Sequence, residues 1–364
     1  MIILLSAADI LQVCAEAGTI RKGETPLAGR KYGLDLGTMN IRIFQGGHGL
    51  VVYEKNMIAI QRKKEVAAIG NDAFEMYERT PASIVISNPV RDGVIADVNN
   101  MNKVAEALLK KCGCTTGFMR NNSFYLAVPS DVTEVEKRAY FDLIAHSAYN
   151  THNIFVVEKP LAAALGENVD VKSKKGMMIV DMGAGTTEIT VITMGGIVVS
   201  KLLKVGGNTI NASICQLVKE RHHLVIGDKT AEYLKLELGH AIPGQGRGKT
   251  VFGRDVITGL PSKAEVSDHL VFDSMKNYLF QVVRTIRNIM ETIPPELSLF
   301  SHHMHLSARQ NIPRDEYAAG GRVGQRVRDA AAVADDIQPL APGGQVFIHL
   351  DLHIVELDLD AVQQ

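Results

Sequence analysis

The feature that most constrains the fold is a strand, a glycine turn and a second strand between Gly176 and Thr193. Met177 to Val180 is a short, bulky, apolar run typical of a buried strand, and Asp181 follows at its carboxyl end, where a carboxylate can hold a cation. Because glycines lack a Cβ, backbone amides in the turn can approach an anion closely. The segment predicts a phosphate-binding turn; the plainer alternative is a tight hairpin whose glycines only supply positive φ. The phosphate contacts predicted here are Gly183, Ala184, Gly185, Thr186 and Thr187.

The same chemistry occurs a second time near the start of the chain, in Tyr32 to Asn40. Asp35 again ends an apolar strand, and a glycine and a hydroxyl residue follow it before a second strand begins. Neither turn has the Walker pattern or the GxGxxG pattern, and two such turns could clamp one polyphosphate from opposite sides. We therefore expect Asp35 and Asp181 to hold Mg²⁺, mainly through water. The phosphate contacts predicted at this turn are Gly37, Thr38, Met39 and Asn40.

Composition is compatible with a large soluble α/β protein. With 364 residues, 46% of them apolar and 22% charged, the chain can bury the cores of two domains. The formal net charge of −1 gives no reason to expect a nucleic-acid surface. The four cysteines form no CxxC pair, which favours a reducing cytosol, and no stretch reaches the roughly 20 apolar residues of a membrane span. Cys112 and Cys114 could bind a metal only if a histidine joined them.

Six segments, in order and spacing, resemble the MreB and Mbl family of bacterial actin homologues. The resemblance runs from about Lys31 to Leu297 and implies an actin-like α/β fold of two related, ribonuclease H-like domains that bind ATP and Mg²⁺. The segments are RTP (79–81), DGVIAD (92–97), VPSDVTEVEKRA (128–139), EKPLAAALG (158–166), DMGAGTTEITVI (181–192) and GDKTAEYLKLELG (227–239).

The resemblance also implies a division into domains. We expect an N-terminal extension, two actin-like domains that each carry a smaller subdomain, and a divergent carboxyl-terminal tail. The expected boundaries are 1–30 for the extension, 31–170 for domain I with its subdomain at about 45–80, 171–298 for domain II with its subdomain at about 207–266, and 299–364 for the tail.

Two further segments are expected to border the nucleotide. A helix should begin at Gly206, Gly207 and Asn208, where its first turn can face the phosphates. In the resembled family the helix over Asp228 to Leu238 borders the adenosine, so Glu232 and Lys235 become binding candidates. Since these two residues lie one turn apart, a solvated ion pair is the alternative.

Local patterns predict two other helices. Thr133 to Tyr149 begins with a T-x-x-E capping box and places Val135, among other apolar residues, near helical spacing. Asp268 to Ile293 carries an apolar residue at every third or fourth position and is stopped by two prolines. We expect both apolar faces to belong to domain cores, and the second stripe could otherwise be a partner-binding seam.

One departure from the family pattern bears on hydrolysis. Members of the family have Glu-Glu-Pro where this chain has Glu158-Lys159-Pro160, and the second glutamate orients the attacking water. Lys159 cannot act as a base, although its ammonium can neutralise phosphate charge. Glu158 could substitute only if its side chain reached inward, and consecutive residues at a strand end usually point opposite ways. We therefore expect slow or absent hydrolysis with binding retained.

Both ends of the chain also depart from the pattern. Residues 1–30 could be an interfacial amphipathic helix or a non-native extension. After Leu297 the family's strand and GGGA-type adenosine turn are missing, which indicates an incomplete carboxyl end, a frame change or recombination. Gln345 to Leu359 alternates well enough to be an edge strand, on which His349 would share a solvated face with two other polar residues.

The resemblance implies a cytoplasmic filament protein that lies on the inner face of the cell membrane, governs cell shape and directs cell-wall synthesis. Phe118 and Met119, in a loop beside basic residues, suit shallow insertion into an anionic membrane surface, and packing onto the core is the alternative. The implied partners are further copies of the chain, that membrane surface and the cell-wall machinery. A sugar kinase or chaperone-type ATPase of the same superfamily, or a degenerate homologue without function, remains an alternative.

Overall fold

The computed structural model describes residues 30–62, 65–114, 122–149, 151–166, 170–174, 176–241, 246–294, 305–308 and 345–350. These residues form two compact units, one ending at Asp170 and the other beginning at Val171. Residues 1–29 of the expected extension, and the expected membrane loop with Phe118 and Met119, lie outside the described residues. Within the described part of the chain, no helix is both long and apolar enough to cross a membrane.

The first unit opens with strands and adds helices later. Its strands are β1 (Lys31–Leu36), β2 (Asn40–Gln45), β3 (Gly49–Lys55), β4 (Ile58–Gln61), β5 (Glu65–Ile69), β6 (Ile84–Ser87), β7 (Val90–Arg91), β8 (Val94–Ile95), β9 (Asn122–Val128) and β10 (Thr151–Glu158). Its helices are α1 (Asn71–Met76), α2 (Val98–Lys111), α3 (Glu134–Ala145) and α4 (Lys159–Gly166).

A five-stranded sheet organises this unit in the order β10-β9-β1-β2-β3. The β1, β2 and β3 strands form an antiparallel meander, whereas β9 and β10 run parallel to β1. Alternate residues of β1 and β9 bury apolar side chains against α2 and α3. Five strands lie between Lys31 and Ile69, but β4 leaves the large sheet and pairs with β5 and β6 in a separate sheet.

The second unit repeats this plan. Its strands are β11 (Met177–Met182), β12 (Thr187–Thr193), β13 (Gly196–Leu203), β14 (Leu224–Val225), β15 (Gly248–Asp255), β16 (Pro261–Ser267), β17 (His305–Ala308) and β18 (Gln345–Leu350). Its helices are α5 (Gly207–His222), α6 (Asp228–Leu238) and α7 (Asp268–Thr292). The sheet order is β13-β12-β11-β18-β17, and β14, β15 and β16 form a small antiparallel sheet.

Helices α5, α6 and α7 pack on one another and form the core of the second unit with β11 and β12. The stripe predicted on α7 is buried in this core, as Val271, Met275, Leu279, Val282 and Ile289 demonstrate. The expectation that the stripe belongs to a domain core, not to a partner seam, is therefore confirmed.

Two local predictions need correction. The capping box of α3 forms between Thr133 and Glu136, and Leu143 of the predicted apolar face is buried. Val135 is 80% exposed, however, and Tyr140 and Ile144 complete the buried face. The carboxyl-terminal strand β18 is not an edge strand, because it pairs in parallel with β11 on one side and with β17 on the other. Hydrophobic alternation alone could not place it, since alternation reports one buried face and not the number of neighbouring strands.

Candidate functional site

The turn between β1 and β2 is closed by one backbone hydrogen bond. The Gly37 N–H donates to the carbonyl oxygen of Asn40 at 3.0 Å. A Cβ on Gly37 would lie 2.8 Å from that oxygen, which is closer than real Cβ contacts come. The turn therefore requires glycine at this position because of close backbone approach, and not because of positive φ.

Three carbonyl groups of this turn accept hydrogen bonds from two asparagines. Asn56 donates its Nδ2 to Gly37 O at 2.8 Å and its backbone N–H to Met39 O at 2.8 Å, and Asn88 donates its Nδ2 to Thr38 O at 3.2 Å. In a planar trans peptide the C=O and the following N–H point in opposite directions. The N–H groups of Thr38, Met39 and Asn40 therefore point to the other side of the turn.

Asp35, one residue before the end of β1, lies directly opposite Arg42 on β2. Arg42 Nη1 lies 3.1 Å from Asp35 Oδ2, and the side chains are only 8% and 10% exposed. The guanidinium also lies 5.5 Å from the ring centroid of Tyr53. The carboxylate that was expected to serve Mg²⁺ is therefore already paired with a buried cation.

Lys159 acts electrostatically on Tyr140, as Asp35 also does. It is the first residue of α4, directly after Glu158 at the end of β10. Burial raises the pKa of Tyr140 above its ordinary range, the Lys159 ammonium opposes that shift, and the Asp35 carboxylate adds to it. Lys159 and Asp35 are thus both close enough to act on the Tyr140 hydroxyl, which donates to Gly93 O at 2.9 Å.

The turn between β11 and β12 has the same construction. The Gly183 N–H donates to Thr186 O at 2.7 Å, and the Gly183 and Ala184 carbonyls accept from the N–H groups of Gly207 and Asn208 at 3.0 and 2.8 Å. By the same peptide geometry, the N–H groups of Ala184 and Gly185 point away from those donors. Here the donors come from the first turn of α5, not from asparagine side chains.

Gly206 allows this close approach between the turn and α5. A Cβ at Gly206 would lie 2.6 Å from Gly183 O and 2.7 Å from Ala184 O. Both neighbours are backbone atoms, so the turn would have to move. Thr187 adds a side-chain bond from its Oγ1 to Val205 O at 2.7 Å, and this bond is buried. Thr187 therefore supports the turn through protein contacts.

Asp181, one residue before the end of β11, lies in an acidic setting. Its partner across the hairpin is Glu188, and both residues are buried. Ser200 donates its hydroxyl to Glu188 Oε1 at 3.2 Å and pairs with Thr190 at 2.7 Å. On the other side, Asp181 is the register partner of His349 on β18. Like charges directly opposite each other in a sheet repel, so the second hairpin differs in charge from the first.

The α6 candidates differ from each other in burial. Lys235 is 2% exposed, and its Nζ donates to Gly207 O at 3.3 Å, whereas Glu232 is half-buried. The alternative of a solvated ion pair is therefore wrong for Lys235. An ammonium so deeply buried is uncommon unless it is hydrogen-bonded, and here it supports the same first turn of α5 that holds the second glycine turn.

Sequence reasoning missed Arg42 and Glu188. Each lies as far after its turn as the aspartate lies before it, so hairpin symmetry could have indicated both pairings.

Burial raises the pKa of Cys112 to about 12 and that of Cys114 to about 11, which keeps both thiols protonated. Among the described residues, no group of three or more His, Cys, Asp or Glu side chains is arranged to hold a metal.

Two units, each with a five-stranded sheet and a glycine turn that follows an aspartate, define an actin-like protein. The family model for MreB/Mbl proteins matches residues 29–300. The chain belongs to the MreB/Mbl family.

Curated relatives agree with this assignment. The chain is 34% identical to the cell shape-determining protein Mbl of Bacillus cereus over 271 residues, which is 74% of this chain and 80% of the relative. It is 35% identical to the cell shape-determining protein MreB of Escherichia coli over 274 residues, covering 73% and 78% of the two chains.

Solved structures show the same fold. MreB5 of Spiroplasma citri bound to ADP has a TM-score of 0.70 at 30% identity, covering 75% of this chain and 82% of MreB5. The AMPPNP-bound form of MreB5 gives a TM-score of 0.69 at 31% identity. The MamK double helical filament structure has a TM-score of 0.66 at 19% identity and covers 92% of this chain, which supports the fold alone.

Proposed function

We propose that this chain is an ATP-binding, actin-like cytoskeletal protein that assembles into filaments and governs cell shape. The observation that carries the proposal is the repeated turn, whose carbonyls accept hydrogen bonds from neighbouring groups. Because C=O and the following N–H point in opposite directions, the N–H groups of the turn point away from those donors. Such a row of N–H groups is an anion-binding arrangement. Curated relatives named as cell shape-determining proteins, and MreB5 bound to ADP and to AMPPNP, support the same proposal.

The proposed phosphate contacts are those expected from the sequence, except that the Thr187 hydroxyl donates to Val205 O and supports the turn. Gly37 and Gly183 close the turns, and the N–H groups that follow them meet phosphate oxygens. The side chain of Asn40 can donate only through its Nδ2, and its buried Oδ1 has no hydrogen-bond partner among the residues that the structure describes. Gly206, Gly207 and Asn208 act on the nucleotide by fixing the second turn.

Mg²⁺ fits Asp181 better than Asp35. Mg²⁺ in nucleotide sites keeps several waters and takes one or two carboxylates, and Asp181 has the Glu188 carboxylate opposite it. When bound, the ion would neutralise oxygens of the β- and γ-phosphates. We propose that hydrolysis is slow, because Lys159 stands at the position of the water-orienting glutamate.

We also propose that the filaments lie on the inner face of the cell membrane and direct cell-wall synthesis, with Phe118 and Met119 as the membrane contact. The support is the resemblance to the family and the pattern of two large apolar residues among basic ones. The location would be cytoplasmic and peripheral.

Sedimentation tests the filament proposal. We expect the wild-type chain to pellet more with Mg²⁺ and AMPPNP than without nucleotide. Asp181→Ala should abolish this dependence because it removes the carboxylate that meets the metal. Lys110→Ala, at an exposed position on α2, is the matched control and should pellet as the wild type does. Equal pelleting with and without nucleotide would contradict nucleotide-dependent assembly and favour a kinase-like or degenerate homologue.

Liposome pelleting tests the membrane proposal. Replacing Phe118 and Met119 with serine should weaken binding to anionic vesicles by about 1.5–3 kcal/mol for each side chain withdrawn. Serine substitutions at Ile257 and Leu260, which are 83% and 64% exposed in the second unit, control for a general loss of surface apolarity. Unchanged binding of the first variant would place the membrane contact elsewhere.

A further inference from the structure

The two asparagines that contact the first turn lie beside a different sheet. Asn56 lies between β3 and β4, and Asn88 directly follows β6. The β4 and β6 strands are antiparallel neighbours in the small sheet, where Ile58 pairs with Ser87. Both asparagines therefore lie at the same end of the small sheet, whereas the turn itself belongs to the large sheet.

Their amides bond to successive carbonyls of the turn. Asn56 donates its Nδ2 to Gly37 O at 2.8 Å and its backbone N–H to Met39 O at 2.8 Å. Asn88 donates its Nδ2 to Thr38 O at 3.2 Å and to Asn56 O at 3.0 Å. Because the two asparagines are also bonded to each other, one connected pair of residues holds three successive peptide groups of the turn.

The backbone around each asparagine keeps its amide in place. Asn56 is 0% exposed, so water cannot replace its bonds to the turn. Asn88 precedes Pro89, and a residue before proline is restricted to extended conformations. Pro89 is buried, and its carbonyl accepts from the N–H groups of Ala96 and Asp97 at 2.9 and 3.1 Å. The chain that carries the Asn88 amide is therefore fixed by contacts outside the turn.

We propose that Asn56 and Asn88 are positioning residues for phosphate binding at the first turn. They fix the three peptide groups so that the N–H groups of Thr38, Met39 and Asn40 point away from the asparagines, towards the phosphate. A turn carbonyl that lost its donor could rotate to the phosphate side, where its lone pairs would repel the anion. This inference rests on the proposed nucleotide binding and concerns the first unit alone.

The affinity of Asn88→Leu for AMPPNP in Mg²⁺, measured by calorimetry, tests the proposal. Leucine is also branched and adds no charge, but it has no donor for Thr38 O. The affinity should fall by about tenfold, the effect of losing one well-oriented hydrogen bond. Asn88→Ala removes the same donor and takes the place of Asn88→Leu if that variant does not fold. Wild-type affinity in a folded Asn88 variant would overturn the proposal.

Tyr149→Phe is the matched control for a general loss of stability. It removes a neutral hydrogen bond of the same unit, from the Tyr149 hydroxyl to Glu106 O at 2.8 Å. Tyr149 precedes β10, which runs parallel to β9 and β1, so it lies at the opposite end of the large sheet from the turn. The control should lower the melting temperature and leave AMPPNP affinity unchanged. A tenfold fall in the control as well would overturn the positioning role.

Hydrogen exchange without nucleotide separates this inference from the proposed function. The N–H groups of Gly37 and Asn56 bond to carbonyls of the turn, so both should exchange faster in Asn88→Leu than in the wild type. Unchanged exchange rates would overturn the proposal. If the wild type binds no AMPPNP in Mg²⁺, nucleotide binding is wrong, and the exchange rates still decide whether the asparagines hold the turn.

Discussion

The β1–β2 and β11–β12 hairpins have the same register and the same turn closure, but they manage charge differently. Gly37 and Gly183 each donate to the carbonyl three residues on, and the aspartate lies two residues before the glycine in both. The first hairpin sets an arginine against its aspartate, whereas the second sets a glutamate there. A shared backbone therefore carries an oppositely charged, electrostatically closed pair in the first hairpin and a like-charged pair in the second.

The groups that hold the two turns in place also differ. Side chains of Asn56 and Asn88 hold the first turn, whereas backbone N–H groups of a helix hold the second. Side-chain amides can be replaced without changing the path of the chain, but the helix contact requires Gly206. The first turn is thus specified by individual side chains and the second by close backbone packing.

The largest expected effect is on stability, from removing one aspartate or the other. Asp35→Ala leaves the Arg42 guanidinium buried without this carboxylate, so the free energy of unfolding should fall by about 3–5 kcal/mol. Asp181→Ala relieves a like-charge contact with Glu188 and should cost far less stability, yet it should weaken Mg-nucleotide binding by at least about tenfold. Urea unfolding and calorimetry measure the two effects.

Equal losses of stability in the two variants would contradict the electrostatic difference between the turns. Equal nucleotide affinity in Asp181→Ala and the wild type would contradict the role of Asp181 itself. Asp142→Ala, which breaks an exposed pair with Arg138, serves as the control and should change stability by only about 0.3–0.5 kcal/mol.

The second prediction concerns the close backbone contact between the second turn and the start of α5. Gly206→Ala should destabilise the protein by about 1–3 kcal/mol, because the new Cβ overlaps two backbone oxygens. Nucleotide affinity should fall with it. Gly196→Ala is the control, since its Cβ would meet Thr193 O at an ordinary 3.9 Å. Thermal unfolding of the two variants measures the difference, and equal melting temperatures would contradict the packing argument.

Much of this fold follows from local sequence patterns, but the charge difference depends on pairing across strands. The aspartate–glycine turns, the capping box at Thr133 and the stripe on α7 are all visible in short windows. The burial of Lys235 is not, because it depends on how α6 packs against α5. The position of β18 also depends on long-range pairing, since alternation cannot distinguish an inner strand from an edge strand.

The third prediction concerns Lys159, which stands at the position of the water-orienting glutamate. Lys159→Glu should raise phosphate release by about tenfold, since a carboxylate can align water while an ammonium cannot. We expect this rescue to remain partial until a family-type carboxyl end is also supplied, because the adenosine turn lacks a counterpart in the sequence. Lys110→Glu makes the same charge change at an exposed position and should have no effect. Brisk release by the unaltered chain would show that Glu158 or another group orients the water.

The smallest expected effect isolates the like-charge pair itself. Glu188→Gln keeps the shape of the side chain and an oxygen that can accept the Ser200 hydrogen bond, but it removes the charge opposite Asp181. Without nucleotide or metal, the free energy of unfolding should rise by about 0.5–1 kcal/mol, the range for cross-strand pairs. Glu65→Gln, at an exposed position on β5, is the control and should leave stability unchanged. Because Mg²⁺ would then meet one carboxylate instead of two, the same variant should show a smaller rise in melting temperature than the wild type when millimolar Mg²⁺ is added. Destabilisation by Glu188→Gln in metal-free buffer would mean that a group of the protein already balances this pair, and that the second turn is as electrostatically closed as the first.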